Sequence, residues 1–445
     1  MKINSIFAIT GICFIIATLA LSSCAKDPEM DVSTDKIHFE ANPSESLNFG
    51  ISSNGEWSVE VIQEEEWLTV SPLQGKGNLT ITLEAEENVE FTERIAFLVI
   101  SGEVKNNDTI RVTQDPCLDV ALKIVDDVFR QYCLNKFDQS PQDGRISSKE
   151  AMSVMEIIVK RRDDEDEAAI TSLVGIEYFT NLRKLDCAAN NIAEIDLSKN
   201  IHLRILDCSF NPISKIDVGE LYRLEDLHLH STNIQEIDVS KNALLYLLTT
   251  SNSPIKSLDV TKNQELAVLL CNDNQLTELD VSKNLKLLML FCGNNRLSKI
   301  DISMNTSLVN LWCNNQTDGN NRKLLSSLDV SNNRDLQSLS CGQNNISVLH
   351  LTNNTVLTQL RCEDNQLTDL DVSKNTKLGD LKSNNNNLSG ILDLSNNASL
   401  KYVDLRVNEL NTIYVWQTFY EECTFSVDGK VKCYEKDDKT QWVVK

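Results

Sequence analysis

Residues 182–200 read LRKLDCAANNIAEIDLSKN, residues 266–284 read LAVLLCNDNQLTELDVSKN and residues 357–375 read LTQLRCEDNQLTDLDVSKN. All three carry leucine at the first and fourth places, cysteine at the sixth, asparagine at the ninth and aspartate at the fifteenth. The cysteines of this frame are Cys187, Cys208, Cys271, Cys292, Cys313, Cys341 and Cys362, separated by 21, 63, 21, 21, 28 and 21 residues. A fixed short period predicts a stacked array, in which each unit buries its core only against its neighbours. Units begin at Leu182, Leu203, Leu224, Leu245, Leu266, Leu287, Leu308, Leu336, Leu357 and Leu378, and a fragment follows at Leu400.

Each place has a physical reading. Side chains alternate along a strand, so the fourth and sixth places point inward while the third and fifth point out. Asparagine at the ninth place is suited to bond backbone groups where the chain turns. Apolar residues at the eleventh, fourteenth and sixteenth places fill the rest of the coil. The cysteines share one inward place, where a free thiol behaves as a small hydrophobe. The consensus LxxLxCxxNxLxxLDVSKNxx resembles the leucine-rich repeat family in its short bacterial form.

The outward places would form a concave face. Leu247, Val268, Leu270, Met289, Phe291 and Trp312 fall there on four successive strands. They are read as a ligand-binding patch, because exposed apolar clusters mark interaction sites and aromatic anchors dominate binding energy. The alternative is a patch covered from within the chain or tolerated in water. Asp186 and Asp207 lie to one side of it, Arg361 and Lys382 to the other. A seven-residue insertion around Thr317–Asn321 is expected to leave the coil beside Trp312. A second column, Asp196, Asp217, Asp238, Asp259, Asp280, Asp301, Asp329 and Asp371, occupies the fifteenth place, and Asp393 joins it if the unit from Leu378 carries one extra residue. It reads as a solvated convex edge, with a calcium ladder as the alternative.

Residues 32–115 alternate like short strands, as in Trp57-Ser58-Val59-Glu60-Val61 and Ile95-Ala96-Phe97-Leu98-Val99, with turn residues between them. The pattern predicts an immunoglobulin-like β-sandwich. The run NGEWSVEV, EEEWLTVSPLQGKGN, ERIAFLVISG and IRVTQD resembles the BACON family, sandwich domains of Bacteroidetes surface proteins proposed to bind carbohydrate. Trp57 and Trp67 are read as core, although a sugar-stacking role is the alternative.

Residues 116–167 form a small helical connector. Asp115 and Pro116 are expected to start a helix with a stripe of Leu118, Leu122, Val125, Phe129 and Tyr132. The following loop resembles a degenerate EF-hand, with Asp143 and Glu150 at its fifth and twelfth positions. Gln139 and Pro141 stand at the first and third, which argues against calcium. Ser147 and Glu150 also make a capping box for a second helix through Met152, Met155 and Ile158-Val159. Ile170, Leu173, Ile176 and Phe179 resemble the opening segment of bacterial leucine-rich repeats, and would cover the open core of the first unit. The repeat solenoid is placed at residues 168–412 and a C-terminal cap at 413–445, where Cys423 and Cys433 are a candidate disulfide.

Residues 1–23 carry Lys2 and an apolar run from Ile6 to Leu21, shorter than a membrane span. Leu21-Ser22-Ser23-Cys24 resembles a bacterial lipobox, which implies lipidation at Cys24, a tether over 24–31 and an outer-membrane lipoprotein. A plain secretory signal is the alternative. Lys26-Asp27-Pro28-Glu29 resembles the tether that sends Bacteroidetes lipoproteins to the cell surface, and inward orientation is left open.

The chain has 445 residues and a formal net charge of -23, so no basic stripe offers itself to nucleic acid. No nucleophile elbow, metal-binding helix motif or phosphate loop occurs, and no cofactor is expected. The five histidines approach ligand spacing only at His228 and His230. The sequence therefore predicts a non-catalytic surface lipoprotein, held to the membrane by its lipid, with a protein ligand on the concave repeat face. A glycan-binding lipoprotein of a polysaccharide-uptake system is the alternative.

Overall fold

The computed structural model describes residues 29–63, 66–88, 92–103, 107–116, 122–139, 142–161, 168–418, 434–436 and 438–445. Cys24, Leu118, Pro141, Cys423 and Cys433 lie outside them. The chain divides into two compact units, with the boundary between residues 119 and 120.

The first unit is a two-sheet sandwich. One sheet sets Met30–Val32, Leu47–Ser53, Leu79–Ala85 and Leu68–Ser71 side by side; the other sets Lys36–Phe39, Asp108–Gln114, Arg94–Gly102, Glu56–Gln63 and Gln74–Lys76. Period-two alternation drives the inward residues together, among them Phe39, Phe49, Ile81, Leu98 and Val112. Trp57 and Trp67 are buried in this core. The Trp57 indole N–H donates to the Gly77 carbonyl at 2.9 Å. A Cβ on Gly75 would meet the same ring at 2.4 Å, so glycine is what lets the indole lie there. Neither tryptophan offers a face to a sugar.

The second unit opens with a helix, Asp127–Phe137. Its cap is Asp126, whose carboxylate accepts from the N–H groups of Val128 and Phe129 at 3.0 Å each. This corrects the expected start at Asp115. The Leu122 and Val125 N–H groups bond Ile146 and Val174 carbonyls instead, so the backbone there is committed before the helix begins. The second helix, Ser148–Ser153, carries the capping box of Ser147 and Glu150. It does not continue to Val159 as expected. Glu156–Ile158 is a strand that pairs in parallel with Lys184–Asp186. Ile157, Ile158 and Val159 are β-branched and suit a strand. The described residues of this stretch pack onto the repeats: Phe129, Cys133 and Ile157 share one core with Phe179, Leu182 and Leu185. Ile170, Leu173 and Ile176 are buried in it as well.

Glu156–Ile158 begins a parallel sheet of 13 strands among the described residues. Each repeat gives three residues, its third to fifth places, in a register that steps one unit per strand: Leu206 faces Leu227, Leu248 faces Leu269, Leu290 faces Leu311. The fourth-place leucines and sixth-place cysteines are fully buried. All seven ladder cysteines are free thiols, and burial pushes Cys292 and Cys362 up to about 12. A second sheet, Ser389–Asp393, Glu409–Val415 and Gln441–Val444, closes the C-terminal end. Its register shifts between Gly390 and Ile391, which pair with Leu410 and Thr412, so that Asn411 of the facing strand is passed over.

Two asparagine ladders fasten the units. Asn295 Nδ2 lies 2.9 Å from the Cys271 carbonyl of the preceding unit and 3.0 Å from Cys292 O, while its Oδ1 accepts from Leu276 N–H at 2.9 Å. Asn211, Asn274, Asn344, Asn365 and Asn386 repeat this pattern. At the nineteenth place Asn263 donates to Val239 O and Asn242 O, both at 2.9 Å, and Asn284 and Asn305 follow suit. The ninth-place bonds are reached through a residue in the left-handed region. The eighth place has a positive φ in every unit, from Ala189 to Val407.

Asn295→Ala leaves the buried Leu276 N–H without a partner, while the Cys271, Cys292 and Gly293 carbonyls keep Asn274, Gln316 and the Asp273 N–H as donors. It is expected to cost about 2 kcal/mol in urea unfolding, since a buried orphan costs about 1–3 kcal/mol. Val407→Asn should have the opposite sign. A β-branched residue at φ +57° is disfavoured, and asparagine tolerates that region. A gain of about 1 kcal/mol by the same measurement is expected.

Candidate binding face

The six residues singled out on the repeat strands stand together. Leu247, Val268 and Met289 are successive register partners at the third place; Leu270, Phe291 and Trp312 are partners at the fifth. All but Trp312 are half-buried, and Trp312 is 42% exposed. The Phe291 and Trp312 rings stack with centroids 4.0 Å apart and planes 3° from parallel. The strands hold these rings upright on a sheet whose buried fourth-place leucines fix the backbone. Tyr246 and Leu288, at the second place, are exposed at 48% and 40% and widen the apolar strip. Sequence reasoning passed over them because the second place lies outside the inward-outward alternation. Their shared place in the frame was the available signal.

Beyond Trp312 the face turns polar. An open groove of about 510 Å³ is lined by Phe291, Trp312, Ser340, Gln359, Arg361 and Glu363, among others. Its charges are internally paired: Arg361 reaches Asp380 at 3.1 Å and Lys382 reaches Glu363 at 3.6 Å. Gln359 donates to Asp380 at 2.9 Å and accepts from Ser338 at 2.8 Å. The Trp312 indole N–H donates to Ser338 Oγ at 3.4 Å. Glu363 folds down over Gly342, where a Cβ would stand 2.8 Å from its carboxyl carbon.

The insertion Thr317–Asn321 does not join this groove. It begins after the ninth-place Gln316 and closes on itself. Thr317 bridges Lys323, and Asp318 Oδ1 accepts from Asn320 and Arg322 N–H groups at 2.9 Å each. Lys323 Nζ bonds the Asp364 carbonyl. The expected position beside Trp312 is corrected by that offset.

The aspartate column has a structural use. Asp196, Asp217, Asp238, Asp280, Asp329 and Asp371 each accept from the N–H two residues on, and Asp393 joins them. The backbone N–H is the chief cause that lowers Asp196, Asp280 and Asp329; the hydroxyl two residues on is the chief cause for Asp238, Asp259, Asp301 and Asp371. The EF-hand-like loop spends its carboxylates similarly. Asp138 accepts from Asp143 and Gly144, Asp143 from Arg145, and Glu150 from Gln139 and Ser147. His228 lies 3.4 Å from Thr249 Oγ1, and His230 packs edge-on against Phe210. Among the described residues no three metal-ligating side chains gather.

Residues 29–115 match the family model described as Viral BACON domain, and residues 180–222 match the model described as Leucine Rich repeats (2 copies). The chain carries a BACON domain and leucine-rich repeats. No curated protein matches it. Among solved structures, the functional domain of InlJ from Listeria monocytogenes, described as including a cysteine ladder, is 26% identical. That match covers 67% of this chain and 84% of the other at a TM-score of 0.42. The internalin InlF from the same species is 23% identical over 64% of this chain and 91% of its own, at a TM-score of 0.51. The second likeness shows the leucine-rich-repeat fold.

The lowered aspartates predict acid sensitivity. Their folded pKa values lie below the ordinary 3.8, so the stability they add is present above that value and lost as pH falls through the folded one. The melting temperature is expected to hold above about pH 5 and drop below about pH 4. Asp238→Asn with Asp259→Asn and Asp280→Asn should flatten the drop, because an amide keeps the turn bond and does not titrate. Calcium is expected to leave the melting temperature unchanged.

Proposed function

We propose that this chain is a non-catalytic cell-envelope lipoprotein, anchored through lipidated Cys24 and exposed at the bacterial surface, that captures a protein ligand on the concave face of its leucine-rich repeats. The observation that carries the reading is the stacked Phe291–Trp312 pair, continuous with the apolar strip of Leu247, Val268, Leu270 and Met289. A sheet facing water gains nothing from such a strip, and burying it against a partner is the favourable outcome. Leucine-rich-repeat proteins generally act in protein binding. The BACON domain then serves as a spacer.

A second reading, glycan binding, draws on the groove beyond Trp312, where aromatic rings stand beside amide, guanidinium and carboxylate groups. It places the sugar on the repeats, since Trp57 and Trp67 are buried.

Phe291→Ser with Trp312→Ser in the chain from residue 25 onward is expected to abolish recovery of a protein partner from a host or community extract. Circular dichroism should be unchanged. Capture that survives the double substitution would refute the reading, and loss of the folded spectrum would reassign both residues to the core. A glycan array probed with the same chain separates the second reading.

A further inference from the structure

The Phe291–Trp312 stack uses only one face of Trp312. The next fifth-place residue is Ser340 and the one after it Arg361, and the three are register partners on successive strands. At about 4.8 Å per strand, Trp312 and Arg361 stand on strands about 9.6 Å apart. A flat ring seated between two others needs about 3.5 Å to each, or about 7 Å in all. Ser340 is too short to fill that space. The parallel alignment of Phe291 and Trp312 shows that flat groups here stack along the sheet. Asp380, on the strand beyond, holds Arg361 on the side away from Trp312. A slot one ring thick therefore opens between the free indole face and the guanidinium.

Both walls favour an aromatic occupant. Indole stacks on aromatic rings, and guanidinium lies over ring faces. The surroundings favour one with a polar end. Ser340 and Gln359 line the groove with Glu363 and Gln343, and the Gln343 side-chain amide has no hydrogen-bond partner among the described residues. The ion pairs Arg361–Asp380 and Lys382–Glu363 leave the slot with little net charge, which disfavours a strongly ionic ligand.

We propose that the slot over Ser340, between Trp312 and Arg361, receives one tyrosine side chain of the captured protein. Its ring stacks as the third member of the Phe291–Trp312 series and its hydroxyl meets the amides of the groove. This rests on the concave-face reading above and names the anchor that the partner must present.

The test uses the chain from residue 25 onward, labelled with 5-fluorotryptophan, with the Trp312 fluorine signal assigned by Trp312→Phe. N-acetyl-tyrosinamide is the probe. Saturable movement of the Trp312 signal is expected, with the other tryptophans still. N-acetyl-alaninamide should do nothing and N-acetyl-phenylalaninamide should bind more weakly. Ser340→Leu fills the slot and is expected to remove the effect, while Arg361→Ala takes away one wall and should weaken it about threefold. No saturable shift with the tyrosine probe, an undiminished shift in folded Ser340→Leu, or saturation by a cello-oligosaccharide in its place would each overturn the proposal. If Ser340→Leu still captures the protein partner while the Phe291/Trp312 double variant does not, the slot is wrong and the face reading stands. If neither variant affects capture, the face reading itself fails.

Discussion

A backbone carbonyl or N–H buried between two coils of the solenoid is costly to leave unpaired, and the ninth-place asparagine supplies a partner across the unit boundary. Its amide donates to carbonyls of its own and the preceding unit, and its carbonyl oxygen accepts from the unit behind. Each unit is thereby completed by the next, which is why the array needs ends. The left-handed residue at the eighth place makes the geometry available, because it turns the chain sharply enough after the strand for the amide to point back inside. Where Thr232 and Ser253 replace asparagine, hydroxyls take part of the role. Both reach the Leu229 carbonyl, at 3.0 and 3.3 Å, and they bond each other. The scaffold accepts that local exception because intact ladders lie on both sides.

This division of labour explains what could be read from the sequence. The repeat places are fixed by packing and hydrogen bonding, so they recur, and the strands fell where the alternation put them. The left-handed place was legible too, in hindsight. Asn252, Asp273, Asn294, Asn315, Asp364 and Asn385 are the residue types that tolerate it, but Ala189, Phe210 and Val407 hid the pattern. The cysteines attracted notice by their spacing and prove to be filling. The aspartate column, read as a solvated edge, also has a use within the fold, because its members accept from the backbone N–H two residues on.

The region before the repeats was harder to read because its structure is decided at long range. Leu122 and Val125 have helical spacing from Phe129, yet their N–H groups are claimed by Ile146 and Val174. Glu156–Ile158 was drawn into a helix by local pattern, yet the first repeat leaves an open sheet edge that a β-branched segment can cover. A stacked sheet imposes strand geometry on whatever closes it. At the other end Ser389–Asp393 pairs in parallel with Glu409–Val415, and the register passes over Asn411 to keep the two strands together.

The net charge of -23 also acquires a location. Much of the acidic column is committed to convex turns, while the groove beside Trp312 pairs its own charges. The concave face is thus apolar at the Leu247–Met289 strip and close to neutral at Arg361, Asp380, Glu363 and Lys382. Electrostatic steering acts through unpaired fields. On the function proposed above, recognition on this face draws instead on desolvation of the strip and on ring stacking at Trp312, which are short-ranged and only weakly screened by salt. The scaffold pairs charges within its own turns and groove, and on the proposed function the variable second, third and fifth places are left to select a partner by shape.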